Sequence, residues 1–67
     1  MDIEIRDDYI KLQQAMQLAG LCGSGAEAKY EIINGNVKVN GETELRRGKK
    51  LIPGDFFEFE NERFYIK

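Results

Sequence analysis

Apolar positions along this chain switch between a spacing of two and a spacing near 3.6, and the switches mark its elements. Ile3 and Ile5 alternate with Asp2, Glu4 and Arg6, which predicts a short half-buried strand. Leu12, Ala15, Met16 and Ala19 then stand at i, i+3, i+4 and i+7, one face of a helix that Gly20 ends. Ser24 followed by Glu27 matches a capping box and opens a second helix over Gly25–Asn34, with Ala28 and Ile32 inward, Lys29 outward and Gly35 closing it. The linker Leu21-Cys22-Gly23 is too short to let the helices part, so they form a compact corner.

Beyond Gly35 the period returns to two. Val37 and Val39 face one way and Lys38 the other, and Asn40-Gly41 supplies the residue pair best suited to a two-residue type I′ turn. The return strand is read as Glu42–Leu45, followed by the basic loop Arg46-Arg47-Gly48-Lys49-Lys50. Leu51 and Ile52 resume the apolar pattern, and Pro53-Gly54-Asp55 reads as a type II turn. Phe56–Glu60 forms the next strand, Asn61-Glu62 a turn and Arg63–Lys67 the closing strand, which as an unpaired sheet edge offers a route to a dimer. The pattern specifies an α+β fold: two helices packed on a small, mostly antiparallel β-sheet, with residues 1–67 as one domain.

Composition narrows what such a domain does. With 42% hydrophobic and 33% charged residues the chain has the balance of a compact soluble domain rather than a disordered tail. It has no histidine and one cysteine, so it lacks a Ser-His or Cys-His nucleophile pair, a proton shuttle near pH 7 and a Cys/His zinc cluster. The carboxylates Asp7, Asp8, Glu58, Glu60 and Glu62 do not converge at any spacing that makes a metal loop or an acid/base pair. The expectation is therefore a non-enzyme with no cofactor, no metal and no small-molecule substrate. Cys22 cannot form an internal disulfide, and no basic start is followed by an apolar run, which fits a reducing cytoplasm. Apolar runs such as Phe64-Tyr65-Ile66 fall far short of the roughly 20 residues a membrane helix needs.

The formal net charge of −2 conceals a strong asymmetry. Residues 29–50 set Lys29, Lys38, Arg46, Arg47, Lys49 and Lys50 against Glu31, Glu42 and Glu44, a basic middle between an acidic start and an acidic end. If helix and hairpin pack side by side, those six cations share one face and attract a polyanion, Arg as a fork for phosphate oxygens and Lys as a point charge. The plainer alternative is solvated charge balanced by the three glutamates. Ser24 and Gly25, at a helix start, offer amides to an anion or serve only as a cap. Cys22 beside that cap is either a thiol acidified by the helix or a packed small side chain. The four Phe are needed for the core, whereas Tyr30, next to Lys29, is placed either in the core or where it stacks on an unpaired base.

The run from Ser24 through Glu27-Ala28, Ile32, Gly35, Val37, Val39 and Asn40-Gly41, with Pro53-Gly54-Asp55 beyond it, closely resembles the ribosomal small-subunit protein S-four-type (alpha-L) RNA-binding domain. Leu18-Ala19-Gly20-Leu21 and Arg46-Arg47-Gly48-Lys49-Lys50-Leu51 resemble its small stand-alone bacterial YbcJ/YaaA-like branch. The resemblance implies an alpha-L fold and a structured RNA ligand, ribosomal or tRNA-like, met by the helical corner, the hairpin and the basic loop. Implied contacts are Lys29, Lys38, Arg46, Arg47, Lys49 and Lys50, with Ser24, Gly25 and Tyr30. Gly25, Tyr30 and Ile33 stand where the family often carries basic residues, which shifts the binding toward the 46–50 loop. The rival function is a protein-interaction module whose basic loop docks on an acidic partner in the translation machinery.

Overall fold

The computed structural model describes residues 1–67 and contains seven strands and two helices: β1 (Asp2–Ile3), β2 (Ile10–Lys11), α1 (Leu12–Leu18), α2 (Gly25–Ile33), β3 (Val37–Val39), β4 (Glu42–Thr43), β5 (Lys50–Leu51), β6 (Phe56–Phe59) and β7 (Glu62–Ile66). Five strands form one sheet in the order β1-β7-β6-β3-β4, antiparallel except for the parallel pair β1 and β7. β2 and β5 form a separate antiparallel ladder, Ile10 opposite Leu51 and Lys11 opposite Lys50.

One sheet face carries Ile3, Val37, Val39, Phe57, Phe59, Phe64 and Ile66, which form a single buried cluster with Leu12, Ala15 and Met16 of α1, Ala28 and Ile32 of α2, Cys22 and Leu51. Phe57 and Phe64 are cross-strand partners with ring centroids 4.9 Å apart and planes inclined by 14°. Burying each such ring contributes about 1.5–3 kcal/mol, and the core contains no buried polar or charged residue to offset it.

Each helix ends where its glycine allows. Gly35 takes φ +78°, and the Gly35 and Asn36 amides donate to the carbonyls of Ile32 and Glu31, closing α2; Gly20 closes α1 in the same way through Gln17 and Met16. Asn40 and Gly41 both have positive φ, 51° and 88°, as a type I′ turn requires. Asn40 does more than turn the chain. Its side chain donates to Asp55 Oδ1 at 3.1 Å and accepts from the Phe56 amide at 3.1 Å, tying the β3–β4 hairpin to the Pro53-Gly54 turn.

Several expectations are corrected. The first strand stops at Ile3, and the return strand at Thr43 rather than Leu45: beyond Thr43 a last bond runs from the Glu44 amide to the Val37 carbonyl, where β3 itself begins. The last turn is Glu60-Asn61 rather than Asn61-Glu62: both residues have positive φ, and Glu62 pairs with Phe59. Only Leu51 of the Leu51-Ile52 pair enters the core, Ile52 remaining exposed. The closing strand is no sheet edge, since β7 lies between β6 and β1. The Met1 ammonium donates to the Arg63 carbonyl and the Lys67 amide to that of Ile3, so β1 covers the edge proposed for a dimer.

Candidate nucleic-acid interface

α1 begins without a side-chain acceptor at its cap, and the basic loop takes over that role. The Leu12 amide donates to the Lys49 carbonyl at 2.8 Å and the Gln13 amide to the Arg47 carbonyl at 3.1 Å, so loop backbone satisfies two amides of the helix start. With their carbonyls turned onto the helix, Arg47 and Lys49 are anchored through backbone rather than through their charges. The β2–β5 ladder then sets Lys11 directly opposite Lys50. Two like charges at a cross-strand pair cost stability, a cost that an anion bound between them removes. Lys11, Arg47, Lys49 and Lys50 have no carboxylate within ion-pair distance. Lys50 Nζ lies 4.7 Å from the centre of the Tyr9 ring.

Arg46 differs from its neighbours. Its Nε lies 2.9 Å from Glu44 Oε2 and its Nη2 3.3 Å from Oε1, a forked pair. The hydrogen bonds from Arg46 hold the Glu44 carboxyl below its ordinary value, with a further contribution from the Lys49 charge.

The remaining candidates are dispersed. Lys38 lies on the outer sheet face opposite Glu58, in a groove of about 440 Å³ that Glu31 and Glu60 also line. Lys29 and Tyr30 are exposed on α2, beside Ala26 and Ile33. Tyr30, two-thirds exposed, is thus a surface residue. Ser24 accepts from the Glu27 amide at 3.2 Å, while Glu27 Oε2 accepts from Gly23 at 3.1 Å, one residue earlier than a reciprocal capping box. A carboxylate therefore already sits on the amide just ahead of the α2 cap. A Cβ on Gly25 would lie 3.4 Å from the Gln13 side chain, so this start abuts the first turn of α1 and, through Gln13, the Arg47 carbonyl.

Cys22 is packed in the core. Its burial pushes the thiol above its ordinary value, and Glu27, Glu31 and Glu60 push the same way, the reverse of the activation a helix start confers. Lys11 and Tyr9 were not among the residues singled out from sequence. Lys11 sits in the acidic first third of the chain, and only its pairing across the β2–β5 ladder brings it to the basic loop.

The family model described as S4 domain matches residues 3–67, nearly the whole chain. The chain belongs to the S4 domain family. Over 58 residues this S4 domain is 41% identical to the "Probable ribosome maturation protein RlbA" of Bacillus subtilis (strain 168), covering 87% of this chain and 82% of that protein. Over 51 residues it is 37% identical to the "Putative RNA-binding protein YbcJ" of Escherichia coli (strain K12), covering 76% of this chain and 73% of the relative. Membership in the small stand-alone branch agrees with the resemblance carried by the Ser24–Gly41 run and the 46–51 segment. No helix is long and apolar enough to cross a membrane.

Proposed function

We propose that this S4 domain is a binding module for structured RNA, ribosomal or tRNA-like, gripped by its phosphates at the start of α1. The observation that carries the reading is the ladder that sets Lys11 opposite Lys50 beside a loop whose Arg47 and Lys49 carbonyls are fastened to the helix. Cations held together without carboxylate partners displace condensed counterions from phosphates, and their backbone anchoring limits the entropy lost on binding. The names of the two relatives, one for ribosome maturation and one for RNA binding, support the same ligand class. Lys11, Arg47, Lys49 and Lys50 form the centre of the proposed interface. Ser24 and Gly25 flank it through Gln13, and Lys29 and Tyr30 extend it along α2. Arg46 contributes only as far as Glu44 releases it, and Lys38, set among glutamates, contributes least. The module performs no catalytic step.

Fluorescence anisotropy tests this with a structured RNA hairpin and a matched DNA duplex, titrated at several salt concentrations. Neutralising about four phosphates gives a logarithmic salt slope of roughly −3, with the RNA preferred. A charge-reversed Arg47→Glu/Lys50→Glu variant is expected to bind more weakly and with a shallower slope. No binding at low salt would overturn the reading in favour of an acidic protein partner, whose capture would then survive ribonuclease.

A further inference from the structure

Beside the basic cluster lies an open hollow of about 340 Å³ with a different chemistry. Its walls include Tyr9, Ile10 and Leu18, the last 61% exposed at the end of α1. Its polar groups are Glu4, Arg6, Asp7 and Gln14, and Gln14 Oε1 already accepts from the Lys11 amide, which leaves the amide nitrogen as a donor. An aromatic ring and aliphatic side chains suit a flat apolar ligand. Glu4 and Asp7, two carboxylates to the single Arg6, disfavour a phosphate inside the hollow and accept hydrogen bonds from an exocyclic amine. The Tyr9 ring itself bridges the two chemistries, since Lys50 Nζ lies over it and Lys11 faces Lys50.

From this juxtaposition we infer that the Tyr9 hollow is a subsite for a single unpaired nucleobase of the bound RNA, stacked against Tyr9 while Lys50 and Lys11 hold its flanking phosphates. The inference rests on the RNA-binding reading and deepens it: the module selects RNA with an extruded or bulged nucleotide over an uninterrupted helix. Stacking on an aromatic side chain is tolerant of base identity, whereas Glu4 and Asp7 favour bases that carry an amino group.

The test uses the full chain with two RNA hairpins of equal length. One carries 2-aminopurine as a single-nucleotide bulge and the other carries it at a paired position; anisotropy reads affinity and 2-aminopurine emission reads stacking. The bulged hairpin is expected to bind about fivefold or more tightly, with its emission quenched on binding. Tyr9→Ala removes the preference and the quenching while affinity for the paired hairpin stays within about twofold, and Tyr9→Phe retains both. Leu18→Glu, a surface change that leaves Tyr9 in place, behaves like Tyr9→Ala. Equal affinity for the two hairpins with unquenched emission would overturn the subsite and leave the RNA reading standing. Absence of binding to either hairpin at low salt would overturn both.

Discussion

The start of α1 and the outer face of the sheet each gather cations and aromatic rings, and they use them in opposite ways. On the sheet, Arg63 stacks its guanidinium 4.5 Å from the centre of the Phe56 ring, lies 3.7 Å from Glu58, and donates to the Tyr65 hydroxyl at 3.4 Å. Lys38 faces the same Glu58 across the β3–β6 ladder. Hydrogen bonding to Tyr65 first, and the Glu58 charge after it, holds the Arg63 proton more tightly than usual. Arg63 is thus spent inside the protein, while Lys38 forms no ion pair and is balanced only by the glutamates that line its groove. At α1 the backbone carbonyls of Arg47 and Lys49 make the internal bonds, and no side-chain cation of the cluster forms an ion pair: Lys50 touches only the Tyr9 ring, and Lys49 acts on Glu44 only from beyond ion-pair distance. Counting positive residues cannot separate the two regions, because what differs is which atoms of each residue the fold consumes.

The sharpest way to break this contrast is charge reversal on each side of it. Lys11→Glu/Lys50→Glu is expected to lower affinity for the RNA hairpin by on the order of tenfold or more, and to flatten the salt slope by about 2. Lys38→Glu, the control on the sheet, is expected to change affinity by less than about twofold, since that lysine already stands in a groove shared with Glu31, Glu58 and Glu60. Equal losses from the two variants would mean that RNA wraps the sheet as well, and the division between the regions would fall.

How much of this was legible in the sequence depends on how local each signal is. Asn40-Gly41 fixed its hairpin because both positions favour positive φ, and Ser24, Gly20 and Gly35 marked the helix ends for equally local reasons. The Glu60-Asn61 turn was misplaced by one residue, since Glu carries no preference for the φ of 52° it adopts and only the pairing of Phe59 with Glu62 imposes it. The β2–β5 ladder left no trace: two residues on each strand are too few to show a period, and its partners are far apart along the chain. That omission matters most for function. It placed Lys11 with the acidic start of the chain, overlooked Tyr9, and allowed Lys38 to be grouped with cations from which the sheet separates it. The parallel pairing of β1 with β7 was hidden for the same reason, so the closing strand was read as exposed.

A finer test lies within the loop, where Arg46 behaves like a sheet cation and Arg47 like a helix-start cation. Glu44 takes both the side chain and the backbone amide of Arg46, and its side chain is only 12% exposed. Glu44→Gln is expected to release the guanidinium, strengthening RNA binding about two- to threefold and steepening the salt slope by about 0.9. The same pair sets a pH dependence. Because the folded-state value of Glu44 lies below its ordinary 4.5, its contribution to stability is present above that value and is lost as the pH falls through the folded one. Thermal melts of wild type should therefore fall more steeply than those of Glu44→Gln on the acidic side of pH 4.5, and should run parallel to them near neutrality.

The smallest expected effect separates anchoring from charge. Gly48 lies between the two residues whose carbonyls cap α1, its φ is outside the left-handed region, and a Cβ there meets nothing within 4 Å. Gly48→Ala should therefore fit the loop without strain and restrict only the unfolded chain, raising stability by about 0.4–1 kcal/mol. If the loop is held by its backbone bonds to Leu12 and Gln13, the cations keep their places and RNA affinity stays unchanged while the melting temperature rises. A loss of affinity with unchanged stability would show instead that the loop must rearrange to bind. Arg47 and Lys49 would then be anchored only in the free protein, and the contrast with the sheet would hold for that state alone.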